Sequence, residues 1–255
     1  MTQTTRRFPL SLTSFDLRLL AMLTMLADHV AKTLVLDSNL TAALGYLGRL
    51  AFPIFAFQIV EGYFHTHSFK QYCKRLLVFA LLSEIPYNLI MGLSSPINPF
   101  HQNVLWTFLI GLLVIRGLDR IRERFPQPLL QVLGSLALVF VGYGIGNLAM
   151  VDYSGPGVLL VVTFYLAKRF AHGRLIQLAG MVLVNGFLLQ NFLVSIPLGS
   201  QTISFSLQAL AILSLIPIWL YNGQRGYSSK AWSRFCYWFY PVHMVVLIPL
   251  CAILY

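Results

Sequence analysis

The chain has 255 residues, of which 57% are apolar and only 10% charged, with 18 Lys and Arg against 8 Asp and Glu. A soluble domain carries about a quarter of its residues as charges, so the composition excludes an ordinary soluble fold and indicates an integral membrane protein. The net charge of +10 imitates a nucleic-acid signal only until the charges are placed; they fall in short loops, and no nucleic-acid partner is expected.

Residues 1–10 are polar and basic, and the first apolar run holds Asp28 and His29 where a cleavable signal would carry small residues. The first helix is therefore expected to stay in the mature protein, behind a cytoplasmic tail at 1–14. The apolar runs are long and continuous, without barrel-like alternation. They define nine predicted spans, at about 15–36, 46–65, 72–92, 103–118, 129–149, 155–169, 175–195, 205–221 and 235–254. The expected fold class is all-α: a polytopic transmembrane helical bundle forming one integral membrane domain over 1–255. Lys and Arg occur before the first span and after the second, fourth, sixth and eighth, whereas 37–45, 93–102, 150–155 and 196–204 contain none. That alternation places the N-terminus in the cytoplasm and the C-terminus outside. Two glycine-rich runs, 143–146 and 154–157, bracket an outer turn and fit no phosphate-binding fingerprint. Cys73, Cys236 and Cys251 have no metal or redox spacing and read as small apolar helix residues. No metal is expected.

Ionisable residues at bilayer depth cost roughly 2.5–3.5 kcal/mol or more each, so they mark buried sites. The first three spans carry Asp28 and His29, then Arg49 and Glu61, then Glu84. With about 1.5 Å rise per residue, Asp28, His29, Arg49, Glu84, Gln102 and Asn103 converge on the outer half of the bundle. Glu61, His65 and Arg75 fall at the inner mouth. A neutral imidazole accepts a proton near pH 7, which makes His29 the candidate base. Asp28 is its sequence neighbour and points about 100° away on the helix, so Glu84 is the better carboxylate partner. His243, two residues after Pro241, is read as lining the site. The alternative for Asp28, Arg49 and Glu84 is a buried ion pair that only holds helices together.

These residues resemble one family, the TraX proteins. The correspondence runs through Asp28-His29, the stretch from Gly48-Arg49 through Ala51-Phe52-Pro53 to Phe57, Glu61-Gly62, Arg75, Ser83-Glu84-Ile85-Pro86, Gln102-Asn103-Val104 and Tyr240-Pro241-x-His243. The resemblance implies N-terminal acetylation of pilin, with acetyl-CoA as donor, in a bacterial inner membrane. A looser similarity joins the chain to multi-pass acyltransferases in which a His late in the first helix, matching His29, is held to be catalytic. An Arg-containing stretch after their second helix matches Lys74-Arg75. In that frame Lys70, Lys74, Arg75, Arg116 and Arg234 form a basic inner mouth for the donor's phosphates. Asp28 or Glu84 would orient His29, and Gln102, Asn103 or Arg49 would donate to the oxyanion or position the acceptor. The acceptor is a protein N-terminus, a glycan or a small molecule. Two other classes stay open: a proton-coupled transporter using Asp28, His29 and Glu84 as a relay, and a structural or assembly protein of a pilus or secretion system.

Overall fold

Helix α1 (Ser14–Thr33) begins at a reciprocal cap: the Thr13 hydroxyl accepts from the Asp16 amide, and the Asp16 carboxylate accepts from the Thr13 amide at 2.8 Å. The computed structural model of the protein describes residues 11–34, 37–92, 95–189, 193–198 and 201–254, with only the backbone at 193–198, 201–205 and 251–254. Most of the expected tail at 1–14 and the side chain of Cys251 lie outside the described residues.

After α1 come α2 (Ser38–Gly48), α3 (Ala51–His65), α4 (Phe69–Ile90), α5 (Val104–Arg124), α6 (Pro128–Leu148) and α7 (Ser154–Arg169). Helix α8 (Gly173–Met181) continues as a wide π-turn over Val182–Leu188. An antiparallel hairpin follows, β1 (Leu193–Leu198) and β2 (Gln201–Ser206), with Leu193 opposite Ser206 and Leu198 opposite Gln201. A 3-10 segment, Leu207–Ser214, then leads through α9 (Leu215–Trp219) to α10 (Lys230–Leu254).

Each predicted span has a helical counterpart, with two corrections. The expected loop at 37–45 is helix α2, started by the Asp37 carboxylate accepting from the Asn39 amide at 2.9 Å. The chain turns from α2 into α3 through Arg49 and Leu50, which keep helical angles, and Pro53 sits in the first turn of α3, where a missing N–H breaks no ladder. The seventh and eighth spans stop short and give way to the hairpin, whose β-branched Val194, Ile196, Thr202 and Ile203 favour strand. The fold is predominantly helical rather than purely so.

Helix α7 is the central element: Val158, Leu160, Val161, Val162 and Phe164 are all buried. Gly111 of α5 faces Val161 so closely that a Cβ there would lie 2.8 Å from that side chain. Helix α6 is outermost, and only about a tenth of its apolar window (11%) is covered by protein. Leu129, Leu136, Phe140 and Leu148 stand out from it, as do Leu81, Leu82 and Ile85 on α4 and Val242, Val245 and Val246 on α10. Soluble monomers rarely expose contiguous apolar surface on this scale. Two stretches, Ser38–His65 and Pro128–Leu148, are long and apolar enough to cross a membrane. The molecule is a membrane-associated helical bundle.

Its two ends differ in chemistry. At one, Asp119 of α5 accepts from the hydroxyls of Tyr63 on α3 and Tyr165 on α7, both at 2.5 Å, and pairs with Arg169. Arg116 lies 5.9 Å over the Phe69 ring, and Arg75 bonds the Tyr237 hydroxyl at 3.4 Å, so the ends of α3, α5 and α7 meet the starts of α4 and α10. At the other end the Gln102 amide donates to Met150 O at 3.0 Å and the Asp152 amide to Gln102 O at 2.8 Å, tying the α6–α7 turn to the start of α5.

Candidate functional site

The residue that organises the site is His29, on the buried face of α1. Its Nδ1 lies 2.6 Å from Nε2 of His243 on α10, with the two rings 4° from parallel, and both side chains are buried. His243 Nδ1 is in turn 2.7 Å from the Phe239 carbonyl. A carbonyl only accepts, so His243 Nδ1 carries the proton and its Nε2 is the acceptor. His29 Nδ1 must then donate, which leaves the lone pair on His29 Nε2. The chain His29→His243→Phe239 O thus fixes the tautomer that a base needs. The partner of His29 is an imidazole, where the sequence suggested the Glu84 carboxylate.

Asp28, one residue earlier, faces a different neighbour. Its carboxylate pairs with Lys32 at 2.6 Å and with Arg49. Arg49 also donates to Gly45 O and to Gln208 Oε1, each at 3.2 Å, and Gln208 passes a bond to Asn185 at 3.0 Å. Gly48 makes the pairing possible: a Cβ on it would sit 2.4 Å from Asp28 Cβ. The Gly48-Arg49 pair therefore reads as one device, a close approach of α2 to α1 followed by the cation that the approach delivers.

Glu84 lies in a separate cluster. Its Oε2 accepts from the Asn103 amide and from the Trp106 indole at 3.1 Å, and Asn103 also donates to Ala80 O at 2.8 Å. Both N–H bonds of the Asn103 side chain are engaged, so in this arrangement it clamps α4 to α5 and has no donor left for an oxyanion. The Gln102 side chain is likewise tied to Asn98 O at 3.1 Å. Glu84 Oε1 is buried and without a partner. No hydrogen bond among the described residues joins Glu84 to His29 or Asp28.

The remaining expected residues sit at the basic end. Lys74 is exposed. Arg75, also exposed, lies 5.9 Å over the Tyr72 ring and bonds Tyr237. Those two tyrosines line a narrow slot of about 160 Å³ between α1, α3, α4, α5 and α10. The slot runs from Arg18 past Met22 and Met25 to Phe239 and Tyr240, one helical turn from His29 on α1 and against the residue that stacks on His243 at 5.0 Å. Glu61 lies elsewhere, on the other face of α3, paired with Lys168 at 2.5 Å in a second cleft.

Arg18, which the sequence analysis does not single out, lines the slot. The signal was present: Arg18, Met22, Met25 and His29 follow one another at spacings of four, three and four, which is one face of a helix. Gln58 supports it, accepting from Arg18 Nε at 3.3 Å and donating to Ser14 O at 3.0 Å. Among the described residues no group of three His, Cys, Asp or Glu is placed to hold a metal.

Fold and site together define a class: a membrane-associated helical protein with a paired-histidine centre beside an apolar slot, at the end away from Arg18. The family sequence profile described as TraX protein matches residues 15–251, and the chain belongs to that family. It is 27% identical over 252 residues, 92% of this chain and 93% of the other, to a protein of Dichelobacter nodosus described as probable fimbrial assembly protein FimC, serogroup H1. No solved structure matches the chain.

Proposed function

We propose that the protein is a membrane-embedded acetyltransferase that moves acetyl from acetyl-CoA to an acceptor amine or hydroxyl, with His29 as general base. The observation that carries this reading is the bond from His29 Nδ1 to His243, which leaves the His29 Nε2 lone pair in a buried, water-poor setting. The acceptor attacks the acetyl carbonyl carbon while His29 Nε2 takes its proton. The tetrahedral intermediate then breaks its C–S bond, and the proton passes from His29 to the departing thiolate, giving free CoA and the acetylated acceptor. His243 is a positioning residue. Asp28 enters as the counter-ion that keeps Arg49 and Lys32 beside the centre, where spare N–H bonds can meet developing negative charge.

The donor's phosphates suit the basic end, where Arg18 lines the slot, Arg75 lies over its Tyr72 and Lys74 is exposed on the same helix, and its slender arm suits the slot's apolar lining. In this reading the nine segments span a bacterial cytoplasmic membrane with the basic end in the cytoplasm and the chain as one domain. The acceptor in the namesake activity is a pilin N-terminus, and the description of the Dichelobacter relative agrees with an acceptor among fimbrial subunits. The same description favours a second reading, an assembly protein without chemistry, in which the Asp28–Arg49 pair only pins helices.

Calorimetry of acetyl-CoA with the purified protein in detergent, alongside thiol release in the presence of a peptide amine, separates the readings. Saturable binding weakened by Arg75→Ala, with thiol release abolished by His29→Ala at unchanged binding, is expected. A folded protein that binds no acetyl-CoA at millimolar concentration sinks the donor assignment and leaves assembly or transport.

A further inference from the structure

We infer that the cleft between α3, α7, α8 and α9 binds the phosphate of an anionic phospholipid headgroup. The cleft has a volume of about 380 Å³ and shares no lining residue with the slot below the histidines. Its floor is the Glu61–Lys168 pair, with Glu61 buried at 7% exposure. Those two charges offset each other, and Arg174 leaves the cleft net cationic.

Arg174 is held as a reader of anions. Its guanidinium lies 5.8 Å over the Trp219 ring and makes one long bond, 3.4 Å, to Trp219 O. The ring is fixed from behind, its indole N–H donating to Gln177 Oε1 at 2.7 Å. A stacked guanidinium with most of its fork uncommitted matches phosphate geometry. The aromatic and aliphatic wall of Phe57, Ile218, Trp219 and Tyr221 gives such a ligand an apolar side.

What favours a lipid over a free anion is the surface next to the cleft. Leu175, Leu178, Val182, Leu183 and Phe187, on α8 and its π extension, are all exposed, with Leu175 at 65% and Phe187 at 64%. They form an apolar track that starts beside Arg174 and leads away from the basic end. A headgroup at Arg174 would lay its acyl chains along that track, as in basic pockets between helices at a membrane surface. The inference needs the membrane association of the bundle and does not depend on acyl transfer.

The test uses the full chain in detergent, with native mass spectrometry of titrated short-chain phosphatidylglycerol and phosphatidylcholine. Phosphatidylglycerol is expected to bind in preference to phosphatidylcholine. Arg174→Gln should weaken it roughly tenfold, as loss of a charge-assisted contact does, and Arg120→Gln, an exposed cation on α5, should leave it unchanged. Equal binding of both lipids, or equal weakening by both variants, overturns the site in favour of diffuse surface charge. Displacement by millimolar inorganic phosphate points to a free anion, and a loss of coenzyme A binding in Arg174→Gln points to the donor nucleotide; either overturns the lipid assignment. Where Arg174→Gln loses the fold, the wild-type lipid preference and the two competitions still decide.

Discussion

Replacing His243 by Ala tests the centre where its geometry is most specific. The change removes the acceptor 2.6 Å from His29 Nδ1 and leaves that N–H buried without a partner. An orphaned buried donor costs about 1–3 kcal/mol. The same loss frees the imidazole to rotate and to move its proton to Nε2, the nitrogen the reaction needs bare. General-base catalysis is worth about 10²- to 10⁴-fold, so a fall of about 100-fold in kcat, close to 3 kcal/mol of barrier, is expected, with the KM for acetyl-CoA nearly unchanged because His243 does not line the slot. His243→Gln returns an amide oxygen at similar reach and should recover a large part of kcat. The assay is thiol release from acetyl-CoA with a peptide amine, run beside thermal denaturation in detergent. If His243→Ala keeps kcat and lowers only the melting temperature, the bond is a helix clamp and the argument from the tautomer fails.

Three further outcomes follow from the same contacts. Gly48→Ala should lower the melting temperature by an amount equivalent to about 1–3 kcal/mol, since its Cβ meets Asp28 at 2.4 Å; Gly144→Ala, inside α6 with open space around it, should not lower it and serves as the comparison. Asp28→Asn should destabilise by about 3–5 kcal/mol by stranding the buried Arg49 charge, Arg49→Gln should cost less because Lys32 still pairs with Asp28 at 2.6 Å, and the double variant should lose less than the sum in a denaturation cycle; strict additivity would mean that the two do not act as a pair. Burial raises the Asp152 carboxyl above its usual range, so the folded state holds that proton more tightly than the unfolded chain and stability falls as pH rises through the window above about 4. Asp152→Asn keeps an oxygen for the Tyr153 amide, which bonds Oδ1 at 3.1 Å, and should melt higher than wild type at pH 7 but not at pH 4.

Much of this was legible in the sequence because charge in an apolar run is a loud signal. Asp28, His29, Arg49 and Glu84 stood out for that reason, and each has a hydrogen-bond or ion-pair partner on another helix. Their pairing was not legible. The 100° step between Asp28 and His29 correctly separated the two, but nothing in α1 tells which of several distant helices supplies a partner, and α10 lies more than two hundred residues away. Pro241 and His243 were visible only as a kink followed by an imidazole. The helix at 38–48 was missed because Ser, Asn, Thr and Gly weaken its apolar pattern, while the cap that starts it, Asp37, is a single residue. The hairpin at 193–206 was missed because 196–204, with Pro197 and the polar Gln201, Thr202 and Ser204, reads as a loop between two spans, while Val194 and Phe205 extend the apolar runs on either side. Arg18 was missed because a cation in a first turn is normally a boundary mark, and only its spacing to Met22, Met25 and His29 sets it apart.

The pattern of closed contacts bears on the choice between chemistry and transport. A proton relay through Asp28, His29 and Glu84 requires one connected chain of groups that can trade protons. The described residues instead hold separate, locally matched sets: Asp28 with Lys32 and Arg49, Glu84 with Asn103 and Trp106, and Glu61 with Lys168. Carrying a proton through the ion-paired sets means breaking a buried pair at each step, about 3–5 kcal/mol apiece, with no hydrogen bond leading from Glu84 to the next. Acyl transfer asks for far less. In the proposed reaction one proton leaves the acceptor, rests on His29 Nε2 and departs with the thiol, a path through the neutral His29–His243–Phe239 chain that breaks no ion pair around it.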